Sequence, residues 1–192
     1  MVSDDALAVR KIQREIISHA YSLLISKSGL NTRTVLYSLS LIARLLEVSG
    51  IDLGEIYFWA AAFIASHKPN HRLYTSSLED YCLRNNLDRG RLEEALQEYV
   101  EKLKLIIFPD NGGTIFYIDR DDILFSVISA AARSALRKAV LKKILGLEEL
   151  DLNNLAEDVT KYLIENLRLL PPEFNKSCSR IVKAIFREES ST

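Results

Sequence analysis

The stretch TSSLEDYCLRNNLDRGRLEEALQEYVEKLKLIIFPDNGGTIFYID, residues 75–119, decides the fold. Its first part predicts a short helix that ends at about Asn86, with one of residues 75–77 as its N-cap. A further helix follows from its cap Asp88 to about Leu103. LKLIIF and TIFYID are rich in β-branched and aromatic residues, and the PDNGG between them holds the residues of a tight turn. The stretch therefore predicts two helices followed by a β-hairpin.

The rest of the chain shows helical spacing of its apolar residues. Asn31 and Asp52 are the expected N-caps of the second and third helices of the chain, and Asp121 is expected to start the helix after the hairpin. The third helix, with the run IYFWAAAFIA, is apolar around most of its circumference, which is typical of a helix at the centre of a core. The predicted helices outside the opening stretch cover about 4–27, 32–48, 53–66, 121–145, 152–169 and 173–188.

Composition narrows the class of protein. With 48% hydrophobic and 27% charged residues over 192 positions, the chain has the composition of a soluble globular protein. Its formal net charge of −1 provides no global attraction to DNA or anionic lipid. The longest apolar run, residues 56–65, falls short of the ~20 residues that span a bilayer, so no membrane partner is expected. Cys82 and Cys178 lie far apart and the charged start MVSDDALAVRK does not resemble a signal peptide, so we expect reduced thiols and a cytoplasmic location.

The order of elements in residues 53–119 resembles the winged helix-turn-helix family. EIYFWAAAFIAS is similar to its first helix, SLEDYCLRNN to its second and DRGRLEEALQEYVEKL to its third, and ALQEYVEKLKLIIF running into GGTIFYI resembles its passage from third helix to wing. The resemblance covers about a third of the chain. It implies a third helix that enters the major groove of DNA and a wing that touches the backbone or minor groove.

We therefore predict a mainly α fold, a helical bundle with an embedded winged helix-turn-helix whose wing is one β-hairpin. Residues 1–50 would form an N-terminal helical pair, residues 51–120 the winged-helix domain and residues 121–192 a C-terminal three-helix extension, together one compact unit. The alternative from the residues alone is a helical bundle that carries one additional hairpin.

The charges of the predicted third helix of this motif oppose DNA binding. Residues 75–103 hold four basic and seven acidic side chains, a net charge of −3, and the hairpin turn adds an acid and no base. Phosphate contacts supply most non-specific affinity for DNA, so this surface would be repelled. We expect it to bind a protein instead. The side of the helix opposite its apolar residues presents Glu93 and the candidate protein-binding residues Glu94, Gln97, Glu98 and Glu101.

A second group of residues favours DNA contact at the start of that helix. Helix-turn-helix proteins place base-reading side chains near this turn. In the loop before the second helix of the motif, His67 and His71 could add contacts to DNA phosphates. The alternative is a solvated surface with local ion pairs, such as Arg91 with Glu94 or Glu98. The candidate DNA-binding residues are Arg84, Asn85, Asn86, Arg89, Arg91, Lys68 and Arg72.

The most basic part of the chain is residues 122–146, with five bases against one acid, a net charge of +4. These bases spread around the helix, so they do not form a single stripe that could follow DNA. Pairing with the acidic helix, inside the fold or across a dimer, is an alternative. On the last helix, Arg180, Lys183 and Arg187 recur at i, i+3 and i+7 and could form a modest basic edge; a solvated face is the alternative. Long apolar flanking helices often pair between subunits, so a homodimer is expected.

No catalytic motif is present: the chain has no Gly-rich phosphate loop, nucleophile elbow or His-Glu-x-x-His. His67 and His71 could join Cys82 or Asp80 around a metal, but they lack the paired Cys-x-x-Cys spacing of zinc sites. The two cysteines are expected to act as small buried hydrophobes. We predict no catalytic residue, no metal and no cofactor.

Residues 31–103 also resemble a cyclin box, as in cyclins and transcription initiation factor B. VLYSLSLIARLLEVSG is similar to its second helix, YFWAAAFIASHK to its buried third, and SLEDYCLRNNLDRGRLEEALQEYVEKL to its fourth and fifth. The hairpin is additional to that fold, and no second repeat is recognisable. The sequence thus predicts a non-enzymatic protein of a DNA-transaction complex, in transcription regulation or chromosome maintenance, that binds a protein partner and duplex DNA; a cyclin-box-like adaptor without DNA binding is the alternative.

Overall fold

A computed structural model of the chain describes residues 4–27, 29–49, 53–68, 77–109, 115–167 and 175–190. These residues are mainly helical and form two compact units, Met1–Ile107 with Thr114–Tyr117, and Phe108–Gly113 with Ile118–Thr192. In chain order the elements are α1 (Asp4–Lys27), α2 (Thr32–Ser49), α3 (Glu55–Ser66), α4 (Leu78–Asn85), α5 (Arg89–Leu103), β1 (Ile106–Pro109), β2 (Ile115–Ile118), α6 (Ile123–Ile144), α7 (Leu152–Leu167) and α8 (Asn175–Ser190).

The first unit is built around α3, as its apolar composition predicts. Every residue from Phe58 to Ala65 is at most 6% exposed. The helix packs against α1, α2 and α5, and the three consecutive alanines Ala60–Ala62 are 0% exposed, which lets neighbouring helices approach closely. The helix starts two residues later than predicted, because the backbone of Gly54 is extended (φ −71°, ψ 168°), and this residue caps it without a side-chain hydrogen bond. The predicted cap Asp52 lies outside the described residues.

α4 and α5 begin at two of the predicted caps. Ser77 accepts a hydrogen bond from the Asp80 amide at 3.1 Å, and Asp88 accepts one from the Arg91 amide at 2.8 Å. Both side chains satisfy amides that have no partner inside the helix. Between the helices, Asn86 ends α4 in the left-handed conformation at φ 52°, a conformation that asparagine tolerates better than most residues.

A left-handed residue also turns the chain from α5 into the hairpin. Lys104 has φ 52°, and the Leu105 amide donates to the carbonyl oxygen of Val100 at 3.0 Å. β1 and β2 then pair in a two-stranded antiparallel sheet, which confirms the predicted hairpin, while its turn lies outside the described residues. The amide of Tyr117 in β2 donates to the carbonyl oxygen of His67 at 3.2 Å. This bond joins the second strand to the end of α3.

The second unit contains α6, α7 and α8, which pack on one another. α6 is capped by Asp122, which accepts from the Leu124 amide at 3.1 Å, so the helix begins slightly after the predicted start at Asp121. Arg133 of α6 pairs with Glu189 of α8 at 2.8 Å. Within the described residues no helix combines the length and the apolarity that crossing a bilayer requires.

Candidate interaction surface on α4 and α5

The outer side of α5 is the acidic surface that the sequence predicts. Glu93, Glu94, Gln97 and Glu101 are exposed, whereas the opposite side is buried through Leu92, Ala95, Leu96, Tyr99 and Leu103. Positions three and four apart adjoin on a helix, and the Gln97 amide group donates to Glu101 at 2.7 Å. We call Glu93, Glu94, Gln97, Glu98 and Glu101 the acidic face.

One member of the acidic face is bound to the interior of the first unit. The hydroxyl of Tyr57 on α3 donates to Oε2 of Glu98 at 2.7 Å, and both residues are half-buried. The hydrogen bond to Glu98 and partial burial raise the pKa of Tyr57 to about 12. The bond therefore holds the Glu98 carboxylate in place, while Glu94 and Glu101 stay exposed around it. Tyr57 is a residue that sequence reasoning missed, because its partner is 41 positions away.

The predicted DNA-binding residues of α4 lie at the turn between the helices. Arg84 is exposed and its Nε donates back to the carbonyl oxygen of Asp80 at 3.2 Å. Asn85 is half-buried, with Nδ2 donating to the carbonyl oxygen of Tyr81 at 2.9 Å. Asn86 is exposed. Leu83, 75% exposed on the same helix, adds an apolar side chain to this turn.

The two arginines of α5 differ in their contacts. Nε of Arg89 forms an ion pair with Oε1 of Glu93 at 2.8 Å, and this hydrogen bond raises the pKa of the guanidinium. Arg91, which the sequence paired with Glu94 or Glu98, is exposed and forms no ion pair within the described part of the chain. The structure therefore brings Arg84, Arg89 and Arg91 to one exposed turn, next to the acidic face.

Two loop residues that were predicted to contact phosphate, His67 and Lys68, are buried. His67 is 2% exposed and Lys68 is 8% exposed. The His67 ring stacks on Phe63 with centroids 4.0 Å apart, and the Lys68 ammonium lies 4.0 Å from the centroid of the Tyr37 ring. Both side chains are thus packed within the first unit. This corrects the prediction that they are exposed and contact DNA phosphates. Arg72 and His71 fall outside the described residues.

Sequence reasoning also missed a groove between α1 and α2. Its volume is about 470 Å³, and its lining includes the apolar side chains of Ile17, Leu39 and Leu46. Arg10 and Arg14, one turn apart on α1, also line it. The signal that could have found it is the pair of arginines four residues apart on a helix whose other side is buried.

The metal-binding and nucleophilic side chains of the described residues bear on the prediction of no metal and buried cysteines. No group of three His, Cys, Asp or Glu side chains among them is arranged to hold a metal ion. Both cysteines are free and buried, and burial raises the pKa of each thiol, that of Cys178 to about 12. A protonated buried thiol is a poor nucleophile. The surface on α4 and α5 combines carboxylates with the exposed guanidiniums of Arg84, Arg89 and Arg91.

Comparison of the chain with protein-family models, curated proteins and solved structures found no match.

Proposed function

We propose that the chain is a non-enzymatic, winged-helix protein of a DNA-transaction complex whose acidic face on α5 binds a basic segment of a protein partner. The observation that carries the proposal is the acidic face itself, exposed on a helix whose other side is fully packed. The order α3, α4, α5 and hairpin supports the winged-helix assignment, and the resemblance to that family supports the setting in transcription regulation or chromosome maintenance.

The packing around the acidic face supports a binding role. A surface that is already held in one conformation loses little entropy on binding. α5 is fixed by its cap Asp88, by the contact of Glu98 with Tyr57 and by its packing on α3. Carboxylates on a fixed helix side can complement lysines and arginines of a partner, which gives specificity and fast association.

The proposal is tested with a labelled lysine- and arginine-rich peptide, whose binding to the full chain is followed by fluorescence anisotropy. Reversal of two exposed charges, Glu94→Lys with Glu101→Lys, should weaken binding by about three- to tenfold, since each exposed ion pair contributes about 0.2–1 kcal/mol. The matched control reverses two exposed acids of α7, Glu157→Lys with Glu165→Lys, and leaves the acidic face intact. Equal weakening by both variants, or no binding to the wild type at low salt, would refute the proposal.

A second candidate function is duplex-DNA contact at the α4–α5 turn. The specific observation in its favour is the exposure of Arg84, Arg89 and Arg91 around one turn, where helix-turn-helix proteins approach the major groove. The acidic face lies on the same helix, so the contact is confined to the first turn of α5 and to a short length of DNA.

The cyclin-box alternative is supported by the position of α3, which packs against α1, α2 and α5 as a central helix would. It implies protein binding without DNA. Binding of the full chain to a random-sequence duplex at low salt therefore discriminates between the two alternatives: an adaptor of this type shows none.

A further inference from the structure

The groove between α1 and α2 combines apolar side chains with two guanidiniums. Ile17, Leu39 and Leu46 line it together with Arg10 and Arg14. Both arginines are exposed, and neither forms an ion pair or a side-chain hydrogen bond with any residue that the structure describes. Two positive groups next to aliphatic surface are therefore available to a ligand of the first unit.

The groove runs along the two helices. Its lining on α1 extends from Arg10 to Tyr21, which at about 1.5 Å per residue is a length of about 16 Å, or about three helical turns. α1 and α2 pack on each other and only residues 28–31 join them, so the two helices run antiparallel. Arg10 therefore lies near the end of α2 that carries Glu47, and Tyr21 lies nearer to Leu39. One end of the groove is charged and the other is aromatic and aliphatic.

The charge and the polarity of the lining select the class of ligand. The lining holds two bases on α1 and one acid, Glu47, on α2, so it attracts an anionic segment more than a basic one. Duplex DNA presents phosphates without aliphatic side chains to cover Leu39 and Leu46. The acidic face of a second copy fails for the same reason, because the apolar side of α5 is buried. The complementary ligand carries both aliphatic side chains and carboxylates.

The open shape of the groove favours a helix over a small molecule. Small-molecule sites bury most of the surface of their ligand, whereas Arg10, Arg14, Ser18 and Tyr21 are exposed along the whole α1 side of this groove. An amphipathic helix lays its apolar side into such a groove and leaves its polar side in water. Arg10 and Arg14 are four residues apart, so they match two acids one turn apart on the ligand helix. Arginine and tyrosine are also residue types that often dominate binding energy at interfaces.

We propose that the α1–α2 groove binds an acidic amphipathic helix of a partner protein. The aliphatic side chains of that helix cover Ile17, Leu39 and Leu46, and two of its acids, one turn apart, pair with Arg10 and Arg14. The groove shares no residue with the acidic face or with the turn between α4 and α5, so it is independent of the function proposed for them. The first unit thus offers two surfaces of opposite preference, one for a basic segment and one for an acidic helix.

The experiment is fluorescence anisotropy of the full chain with a labelled helical peptide of about four turns, which has leucines on one side and two glutamates one turn apart beside them. The wild type should bind this peptide. Arg10→Glu with Arg14→Glu should raise the dissociation constant by at least about tenfold, because two attractive contacts become repulsive. The matched control, Lys27→Glu with Arg33→Glu, changes the net charge equally at exposed positions of the same helices outside the lining, and should change the constant by less than about twofold. All four side chains are exposed, so folding should be preserved, as circular dichroism will verify.

Two further changes test the apolar contact. Tyr21→Ser should weaken binding by at least about fivefold, as truncation of an interface tyrosine does, whereas Tyr162→Ser, at an exposed tyrosine of the second unit, should leave it unchanged. A peptide with serines in place of its leucines should bind at least about tenfold more weakly. No binding by the wild type at low salt, equal weakening by both charge variants, or equal affinity for the serine peptide would overturn the proposal. Tighter binding of oleate than of the peptide, with the same dependence on Arg10 and Arg14, would identify a small amphiphile as the ligand and would overturn it as well.

Discussion

The hydroxyl of Tyr57 donates a 2.7 Å hydrogen bond to the carboxylate of Glu98. It connects the central helix of the first unit with the acidic face of α5. The same bond couples stability to pH, because the raised pKa of about 12 belongs to the folded state, while a tyrosine in an unfolded chain titrates near 10.

Tyr57→Phe should lower the free energy of unfolding at pH 7 by about 1 kcal/mol, the contribution of one hydrogen bond. Neutral Tyr57 is favoured in the folded state, so its contribution is complete below pH 10 and declines as the pH rises from about 10 to about 12. The difference in stability between wild type and Tyr57→Phe should therefore shrink over that window. Urea unfolding at several pH values measures it; a constant difference would show that Glu98 does not affect the titration of Tyr57.

Ala61→Leu should destabilise the first unit by about 1–3 kcal/mol, because α3 is already in contact with its neighbours at this position and extra methylene groups have no space. Ala61 is 0% exposed. Ala130→Leu on α6, where the alanine is exposed, is the control and should change the unfolding free energy by less than about 0.5 kcal/mol. Chemical denaturation of both variants measures the contrast. Equal small effects would mean that α3 is more loosely packed than its burial indicates.

Lys104→Gly should stabilise the chain by about 0.5–1 kcal/mol, because a side chain in the left-handed conformation costs about 1–2 kcal/mol that glycine avoids. Lys102→Gly removes a neighbouring lysine with an ordinary helical backbone and should instead cost up to about 1 kcal/mol. Thermal unfolding compares the pair, and the signs should be opposite. If both variants lower the melting temperature, the left-handed turn after α5 is not strained.

Arg89→Glu with Arg91→Glu tests the DNA candidate function. If both guanidiniums contact phosphates, the slope of log affinity against log salt should become shallower by about two for a random duplex. The control, Lys11→Glu with Lys161→Glu, changes the net charge equally at exposed positions on α1 and α7. Fluorescence anisotropy at several salt concentrations gives the slopes. The same slope in the wild type and in the Arg89, Arg91 variant would exclude these two arginines from the contact.

Cys82 and Cys178 should resist alkylation in the folded chain at pH 8. Burial keeps both thiols protonated and inaccessible, Cys178 with a pKa of about 12 and 0% exposure. We expect labelling at least about a hundredfold slower than in urea. A cysteine placed at an exposed position by Tyr162→Cys should react at the rate of an unhindered thiol and serves as the control. Rapid native labelling of Cys178 would place it outside the core.

The local features of the fold were predictable from sequence because they depend on neighbours in the chain. Ser77 and Asp88 cap helices through amides three residues ahead, and β-branched runs around PDNGG predict a hairpin wherever they occur. The all-round apolar character of EIYFWAAAFIAS needed only its composition to indicate the centre of a core. Helical periodicity likewise predicted that the residues of the acidic face share the side of α5 opposite its apolar residues.

The errors concern residues whose environment is set by distant parts of the chain. The sequence predicted that His67 and Lys68 lie in an exposed basic loop, since charged residues are rarely buried. In the structure they directly follow the buried helix α3, where Phe63 and Tyr37 provide aromatic surfaces for them. Neither contact leaves a signal in a single sequence. The partnership of Tyr57 with Glu98 was missed for the same reason.

The bond from Tyr117 to His67 has a practical consequence for where the chain can be truncated. Leu105, just before β1, and Tyr117, in β2, both belong to the apolar core of the first unit. A truncated product that stops after α5 would lack both side chains and leave the ring of Phe63 without its edge contact from Tyr117. The shortest product worth expressing alone must therefore continue through β2.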